Sequence, residues 1–234
     1  MHCCIFAELR QRNLDGEHSL NLPPIIYDCG GVLVDTEGLA NSYMAQLFSS
    51  MGYKIDGGAC RARFQGKTIK EACAEISDAT GAKVDYSDVR KNLNNALQTG
   101  ITAIPGVEDL VTTLVEGSYT VCVASNGTVD KMHTTLGQTR LLPIMKDVLF
   151  STDDVARGKP FPDLFEFAAR EMGYNARNSI VIEDSLSGVK AGISAGARVL
   201  GYCGDPFTNK DELSSAGAET FNDMKAAFQL ICAG

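Results

Sequence analysis

Four short stretches of this 234-residue chain hold side chains that could do chemistry together: Asp28, Ser125 with Asn126, Lys159, and the adjacent acids Glu183 and Asp184. A carboxylate able to attack, a hydroxyl and an amide able to hold an oxyanion, a lysine able to neutralise charge and a pair of acids are what metal-assisted phosphoryl transfer needs. Two neighbouring carboxylates in one crevice repel each other unless a cation lies between them, and a divalent metal is the simplest relief. Each stretch also has a plainer reading. A strand-end Asp often only caps a helix, Ser125-Asn126-Gly127 reads as a turn, Lys159 as solvated surface, and Glu183-Asp184-Ser185 as the start of the next helix.

The elements around these stretches decide whether they meet. Ile25-Ile26-Tyr27 is an apolar run that stops at Asp28-Cys29-Gly30-Gly31, the pattern of a buried parallel strand ending on a carboxylate. After Ile104-Pro105-Gly106 helical and strand signals alternate: helix over 107–116, strand over 119–124, helix over 129–136, strand over 148–151, a helix after Pro162, strand over 180–182, helix over 186–195 and strand over 198–202. That alternation predicts an α/β fold with a parallel sheet covered on both faces. Ligands of such sheets bind beyond the carboxyl ends of the strands, where all four stretches fall.

Between Glu37 and about Gly100 the periodicity is helical, in Leu39, Tyr43, Met44, Leu47 and Phe48 and again in Ile69, Cys73 and Ile76. Thr68-Ile69-Lys70-Glu71 has the form of a capping box, which predicts a helix from Ile69 to near Gly81, with another over about 87–98. Roughly 64 residues of helix between two strands is more than a crossover requires, so the segment reads as an inserted domain and a lid. The expected organisation is an appended arm over 1–23, a core over 24–36 and 101–234, and a helical cap over 37–100.

Composition excludes several partners. With 21 basic and 29 acidic side chains the net charge is -8, which disfavours nucleic acid and anionic membranes. No segment approaches the ~20 apolar residues of a membrane span, and the run Cys3 to Ala7 is too short for a signal peptide, so a cytoplasmic protein is expected. The eight cysteines show no paired spacing, and His2, His18 and His133 lie far apart, which argues for reduced thiols and against structural zinc.

The run from Ile26 to Glu37 resembles the first signature of the haloacid dehalogenase superfamily, and Ser125, Lys159 and Glu183-Asp184 match its second, third and fourth motifs in order and spacing. The resemblance covers the chain from about Ile25 onward and implies a Rossmann-like core with a helical cap, as in β-phosphoglucomutase and many sugar-phosphate and phosphoglycolate phosphatases. It further implies a Mg²⁺-dependent phosphohydrolase for a small phosphorylated metabolite, acting as a monomer or homodimer. Asp28 would attack phosphorus, form an aspartyl-phosphate and ligate the metal, together with the Gly30 carbonyl, Asp184 and Glu183. Ser125, Asn126 and Lys159 would hold the phosphoryl group, and Gly127 would give the backbone room to approach it. Arg61, Arg63, Gln65, Gly66 and Lys67 resemble the substrate-specificity loop of capped members, with Arg63 and Lys67 as substrate ligands; a solvated basic turn is the alternative.

One residue departs from the pattern. The superfamily's first motif has a second aspartate two places after the nucleophile, which protonates the leaving group and then activates water; this chain has Gly30 there. Loss of general acid-base catalysis typically removes about 10² to 10⁴ in rate, so impaired turnover at a competent metal site is expected. Three readings compete: an isolated substitution in an ordinary phosphatase, a phosphonatase or dehalogenase branch, which also lacks that aspartate, and a phosphometabolite-binding protein without catalysis. A mutase is a further variant within the family.

Overall fold

In the computed structural model, which describes residues 22–64 and 69–233, six strands form one parallel sheet. In chain order these are β1 (Ile25–Tyr27), β2 (Val121–Ser125), β3 (Leu149–Ser151), β4 (Ile180–Glu183), β5 (Arg198–Tyr202) and β6 (Glu219–Phe221), arranged β3-β2-β1-β4-β5-β6. The chain steps outward from β1 through β2 to β3, then returns to lay β4 on the other side of β1. This is the strand order that opens a crevice at the carboxyl end of the central pair. β1 pairs with β2 from Ile25↔Val121 and with β4 from Ile25↔Ile180, so Tyr27 at the end of β1 lies level with Val123 and Ile182, and the two neighbouring strands run on to Ser125 and Glu183.

Strand residues alternate between two buried layers, as a sheet covered on both faces requires. Ile25, Tyr27, Val121, Val123, Ile180 and Ile182 face one layer, with Leu110, Val111 and Leu114 of α5 (Val107–Glu116), Met132 and Leu136 of α6 (Val129–Leu136) and Phe228 and Ile231 of the last helix. Ile26, Cys122, Ala124, Val181 and Val199 face the other, with Leu164, Phe165, Ala168 and Ala169 of a helix over Asp163–Glu171 and Val189 and Ala191 of one over Leu186–Ser194.

Among the described residues four helices separate β1 from α5: α1 (Thr36–Ser50), α2 (Gly57–Phe64), α3 (Ile69–Thr80) and α4 (Tyr86–Ala96). They bury a cluster of their own, built on Met44, Phe48, Cys60, Phe64, Cys73, Ile76 and Val89, with Phe48 and Phe64 packed edge to face at 5.6 Å between ring centres. The chain enters and leaves this insert side by side. Val34 bridges Ala103 in antiparallel sense, Asp35 N donates to the Thr102 carbonyl at 2.9 Å, and Ile104 N donates to the Leu33 carbonyl at 3.0 Å.

The remaining elements in chain order are α7 (Leu142–Met145), α8 (Asp163–Glu171), α9 (Leu186–Ser194), α10 (Lys210–Ser215) and α11 (Met224–Ala233). Several differ from the sequence pattern. β2 runs two residues later at its start than the apolar run suggested, because Ser118 turns the chain at positive φ and the ladder begins where Ile25 N reaches the Thr120 carbonyl. Ser125 and Glu183, expected just after their strands, are the last residues within them. β6, α10 and α11 were not anticipated; β6 is a three-residue edge strand with too little pattern to read. The arm over 1–23 falls almost wholly outside the described residues, as do Gln65, Gly66, Lys67 and Thr68.

Candidate active site

The site is assembled on a floor of three strand ends. Asp28 follows β1 and its N–H still donates to the Ile182 carbonyl at 2.9 Å, so the ladder with β4 fixes the residue's backbone. Lys159 arrives from the long connection after β3 and is almost wholly buried. Its Nζ lies 2.5 Å from Asp28 Oδ1 and 2.5 Å from Glu183 Oε1, and 4.8 Å above the Phe165 ring. Burying an ammonium is costly unless it is paired, and here two carboxylates and an aromatic face do the pairing.

Glu183 and Asp184 are adjacent in sequence and opposite in situation. Glu183 Oε1 takes Lys159, while Oε2 accepts from Asp184 N at 3.1 Å, Ser185 N at 3.1 Å and Ser185 Oγ at 2.9 Å. Gly188 in the first turn of α9 makes room for that arrangement: a Cβ there would lie 1.8 Å from the Glu183 carboxyl carbon. The Asp184 carboxyl has no hydrogen-bond or ion-pair partner in another of the described residues. It lies against the backbone of Gly31, whose φ of +84° suits glycine and whose missing Cβ would sit 2.0 Å from Asp184 Oδ2.

Electrostatics follow from this packing. Burial pushes the Asp28 carboxyl up to about 6; the Lys159 charge works against that rise and the Glu183 charge adds to it. Burial also raises Asp184 well above the usual carboxylate range, with the Glu183 and Asp28 charges adding to it. Burial disfavours the Lys159 cation, yet Asp28 and Glu183 outweigh it and hold its pKa above the ordinary lysine value. Oxygen atoms of Asp28, Glu183 and Asp184 lie within 4.8 Å of one another, which is the spacing and charge that a hard divalent cation takes. The donor set therefore fits a metal such as Mg²⁺, with Asp184 the side chain most in need of one.

Asn126 is spent differently from the sequence expectation. Its side-chain oxygen accepts from Lys159 N at 2.9 Å and its amide donates to the Lys159 carbonyl at 3.2 Å, so it clamps the lysine's backbone in place. Ser125 Oγ accepts from Gly127 N at 3.2 Å and, like Asn126 and Gly127, lines a cavity of about 390 Å³ above Asp28. Gly30, Thr36, Glu37, Lys131, Lys159, Glu183 and Asp184 also line it. A second cavity of about 440 Å³ continues into the helical insert and shares Thr36, Glu37 and Lys131 with the first. Arg61, Arg90, Asn41, Asn94 and Tyr86 line the second cavity. Arg63 does not: it pairs with Glu75 at 2.5 Å and stacks over Tyr53. Lys67 lies outside the described residues.

Comparison with known proteins now decides the family. The family model described as haloacid dehalogenase-like hydrolase matches residues 25–202, the span that carries every site residue above. The chain belongs to this family. The haloacid dehalogenase-like chain is 32% identical over 186 residues to the 6-phosphogluconate phosphatase of Escherichia coli (strain K12), covering 78% of this chain and 83% of that one. It is 30% identical over 182 residues to the validoxylamine A 7'-phosphate phosphatase of Streptomyces hygroscopicus subsp. limoneus, covering 75% and 83% respectively. Among solved structures it resembles a HAD family hydrolase from Deinococcus radiodurans R1 with bound phosphate and sodium, at a TM-score of 0.80 and 26% identity over 91% of this chain and 96% of that one.

Thr36, Glu37, Lys131 and Arg90 were missed by sequence reasoning. Lys131 had a signal: it lies in the first turn of the helix that follows Ser125-Asn126-Gly127, where a long side chain reaches back to the strand ends. Among the described residues no helix is long and apolar enough to cross a membrane.

Proposed function

We propose that this hydrolase is a Mg²⁺-dependent phosphatase for a small phosphorylated metabolite, with Asp28 as nucleophile. The observation that supports it most is the Asp28–Lys159–Glu183 triad beside an Asp184 carboxyl with no partner in another of the described residues, a floor that holds a nucleophilic carboxylate in place and leaves one acid for a cation. Asp28 would attack phosphorus in line and form an aspartyl-phosphate, which water hydrolyses. Lys159 neutralises charge at the nucleophile, and Ser125 Oγ donates to a phosphoryl oxygen. Asp28, the Gly30 carbonyl and Asp184 would hold Mg²⁺, which when bound supplies further charge neutralisation; Glu183 acts behind them by fixing Lys159 and the turn into α9.

Residues 37–100 serve in this reading as a cap that sets the substrate. Arg90 and Lys131 have no ion-pair partner among the described residues, and with Arg61 they make the second cavity cationic. A sugar phosphate bearing a second anionic group suits it, in line with the relative named for 6-phosphogluconate. A phosphonatase would need a cap lysine for a Schiff base; Lys54 and Lys70 are exposed and line neither cavity, and Lys67 lies outside the described residues. A dehalogenase would leave Asp184 without a role.

The test is phosphate release from a panel of phosphorylated sugars and sugar acids at fixed Mg²⁺, with wild type beside Gly30→Asp. A Cβ at position 30 would meet only Thr36 Oγ1, at 3.1 Å, so a small shift of that hydroxyl admits the aspartate. Without another proton donor in the site, Gly30→Asp would raise kcat by about 10² or more. No release by either protein from any ester would overturn the phosphatase reading.

A further inference from the structure

We propose that Glu37 carries the proton transfers that Gly30 cannot, an inference that rests on the phosphatase reading and adds a catalytic residue to it. The geometry is that of a boundary. The phosphoryl group belongs over Asp28 in the first cavity and the rest of the substrate in the second. The bridging oxygen, which must receive a proton when it leaves, therefore lies where the two cavities meet. Glu37 is the carboxylate at that junction, since it lines both cavities.

Its position is set by the core and not by the far end of the insert. Glu37 stands in the first turn of α1, directly after Thr36, the residue whose Oγ1 lies 3.1 Å from where a Gly30 Cβ would be. The turn is fixed by Asp35, which accepts from Gly38 N at 2.7 Å while its own N–H donates to the Thr102 carbonyl. The room left by the missing aspartate thus opens toward the chain segment that presents Glu37.

The other titratable groups of the first cavity are engaged or unsuited. Asp28 is the nucleophile, Lys159 is bound between two carboxylates, and both Glu183 oxygens accept hydrogen bonds. Asp184 lies at the metal end. The Cys29 thiol faces Thr135 at 4.0 Å and is too weak an acid, its pKa pushed up to about 12 chiefly by burial. Lys131 is a cation that, after giving up a proton, would regain it from water at no useful advantage over a carboxylate. The Glu37 carboxylate is exposed to the cavities and has no hydrogen-bond or ion-pair partner among the described residues.

The steps balance. An Asp28 carboxylate oxygen bonds to phosphorus as the bond from phosphorus to the leaving oxygen breaks; that oxygen keeps the electron pair and takes the proton of the Glu37 carboxyl. The Glu37 carboxylate then removes a proton from water as the water oxygen bonds to phosphorus and the Asp28–phosphorus bond breaks. Inorganic phosphate departs, and Asp28 and protonated Glu37 are restored.

The experiment measures kcat/KM for Glu37→Gln in the wild-type and Gly30→Asp backgrounds, on an alkyl phosphate such as a sugar phosphate and on p-nitrophenyl phosphate, whose leaving group needs no proton. In the wild-type background the expected loss is about 10²- to 10⁴-fold on the alkyl ester and under tenfold on the aryl ester. In the Gly30→Asp background the same change should cost under about threefold, because the restored aspartate takes the proton. Glu37→Asp should keep more alkyl-ester activity than Glu37→Gln, which separates a carboxyl requirement from a folding defect. An alkyl-ester loss within threefold in wild type, an equal loss on both esters, an equal loss in both backgrounds, or alkyl-ester activity found only with Gly30→Asp would each overturn the role of Glu37 alone. Absence of release by wild type and Gly30→Asp on every ester would overturn the phosphatase reading itself.

Discussion

The two cavities that meet at Glu37 are built on opposite principles. At the strand ends Lys159 is held by two carboxylates and Glu183 by four donors, and the Asn126 side chain clamps the backbone N–H and carbonyl of Lys159. Around the second cavity, Arg90 of the insert and Lys131 of α6 are exposed and lack ion-pair partners among the described residues, and Arg61 is tied to Asp205 of the core and stacked over Phe207. Fixed geometry suits bond making, where a small misplacement is costly, whereas loosely held cations suit recognition of a group that varies between substrates.

That contrast breaks most sharply at the nucleophile. Asp28→Asn should lower turnover on the order of 10⁴-fold or more and leave no acid-stable phosphoenzyme after quenching with labelled substrate. Lys159→Met should reduce kcat by about 10²- to 10³-fold. It should also lower unfolding stability by about 3–5 kcal/mol in urea titrations, because three carboxylates then share the floor without their cation. A loss of activity with unchanged stability would show that the triad is less buried in solution than its geometry implies.

The electrostatics of the floor can be read through pH. The Asp28 pKa stands near 6 when folded against about 3.9 when unfolded, so its protonated form favours the fold below pH 4 and that contribution is lost as pH rises to about 6. A bound cation reverses the preference by favouring the carboxylate. Millimolar Mg²⁺ should therefore raise Tm more at pH 7.5 than at pH 5, and Asp184→Asn should remove most of the gain at pH 7.5; an equal Tm gain at both pH values would count against Asp28 as a ligand.

The insert should respond more gently. Arg90→Ala is expected to raise KM about tenfold for a phosphate ester carrying a second anionic group and to leave p-nitrophenyl phosphate within twofold. Arg63→Ala should change both by less than about twofold, since its partner is Glu75 and it borders neither cavity. A larger effect of Arg63 than of Arg90 would relocate the recognition surface.

How much of this was legible in the sequence depended on how local the signal was. Asp28, Ser125 and the Glu183-Asp184 pair each sit at or just beyond a strand end, and a parallel sheet brings such positions together regardless of detail; Lys159 reaches them from the connection after β3. The helical boundaries at 107–116 and 129–136 were readable for the same reason, because apolar periodicity and flanking Gly or Thr act within a few residues. The division of labour within the acidic pair was not readable. It depends on a glycine one turn into α9 and on a lysine that reaches Glu183 from the connection after β3. Arg90 against Arg63 was equally hidden, because which basic residue faces the cavity is set by how four helices pack around Phe48 and Ile76.

The antiparallel contact of Val34 with Ala103 has a consequence for descent. Since the chain departs from and rejoins the sheet through one paired stem, insertions, deletions or wholesale exchange within the helices alter neither strand register nor the spacing of Asp28 from Ser125. Lineages can therefore inherit the reaction while trading its clientele. Glu37, in the first helical turn beyond that stem, would be inherited with the reaction.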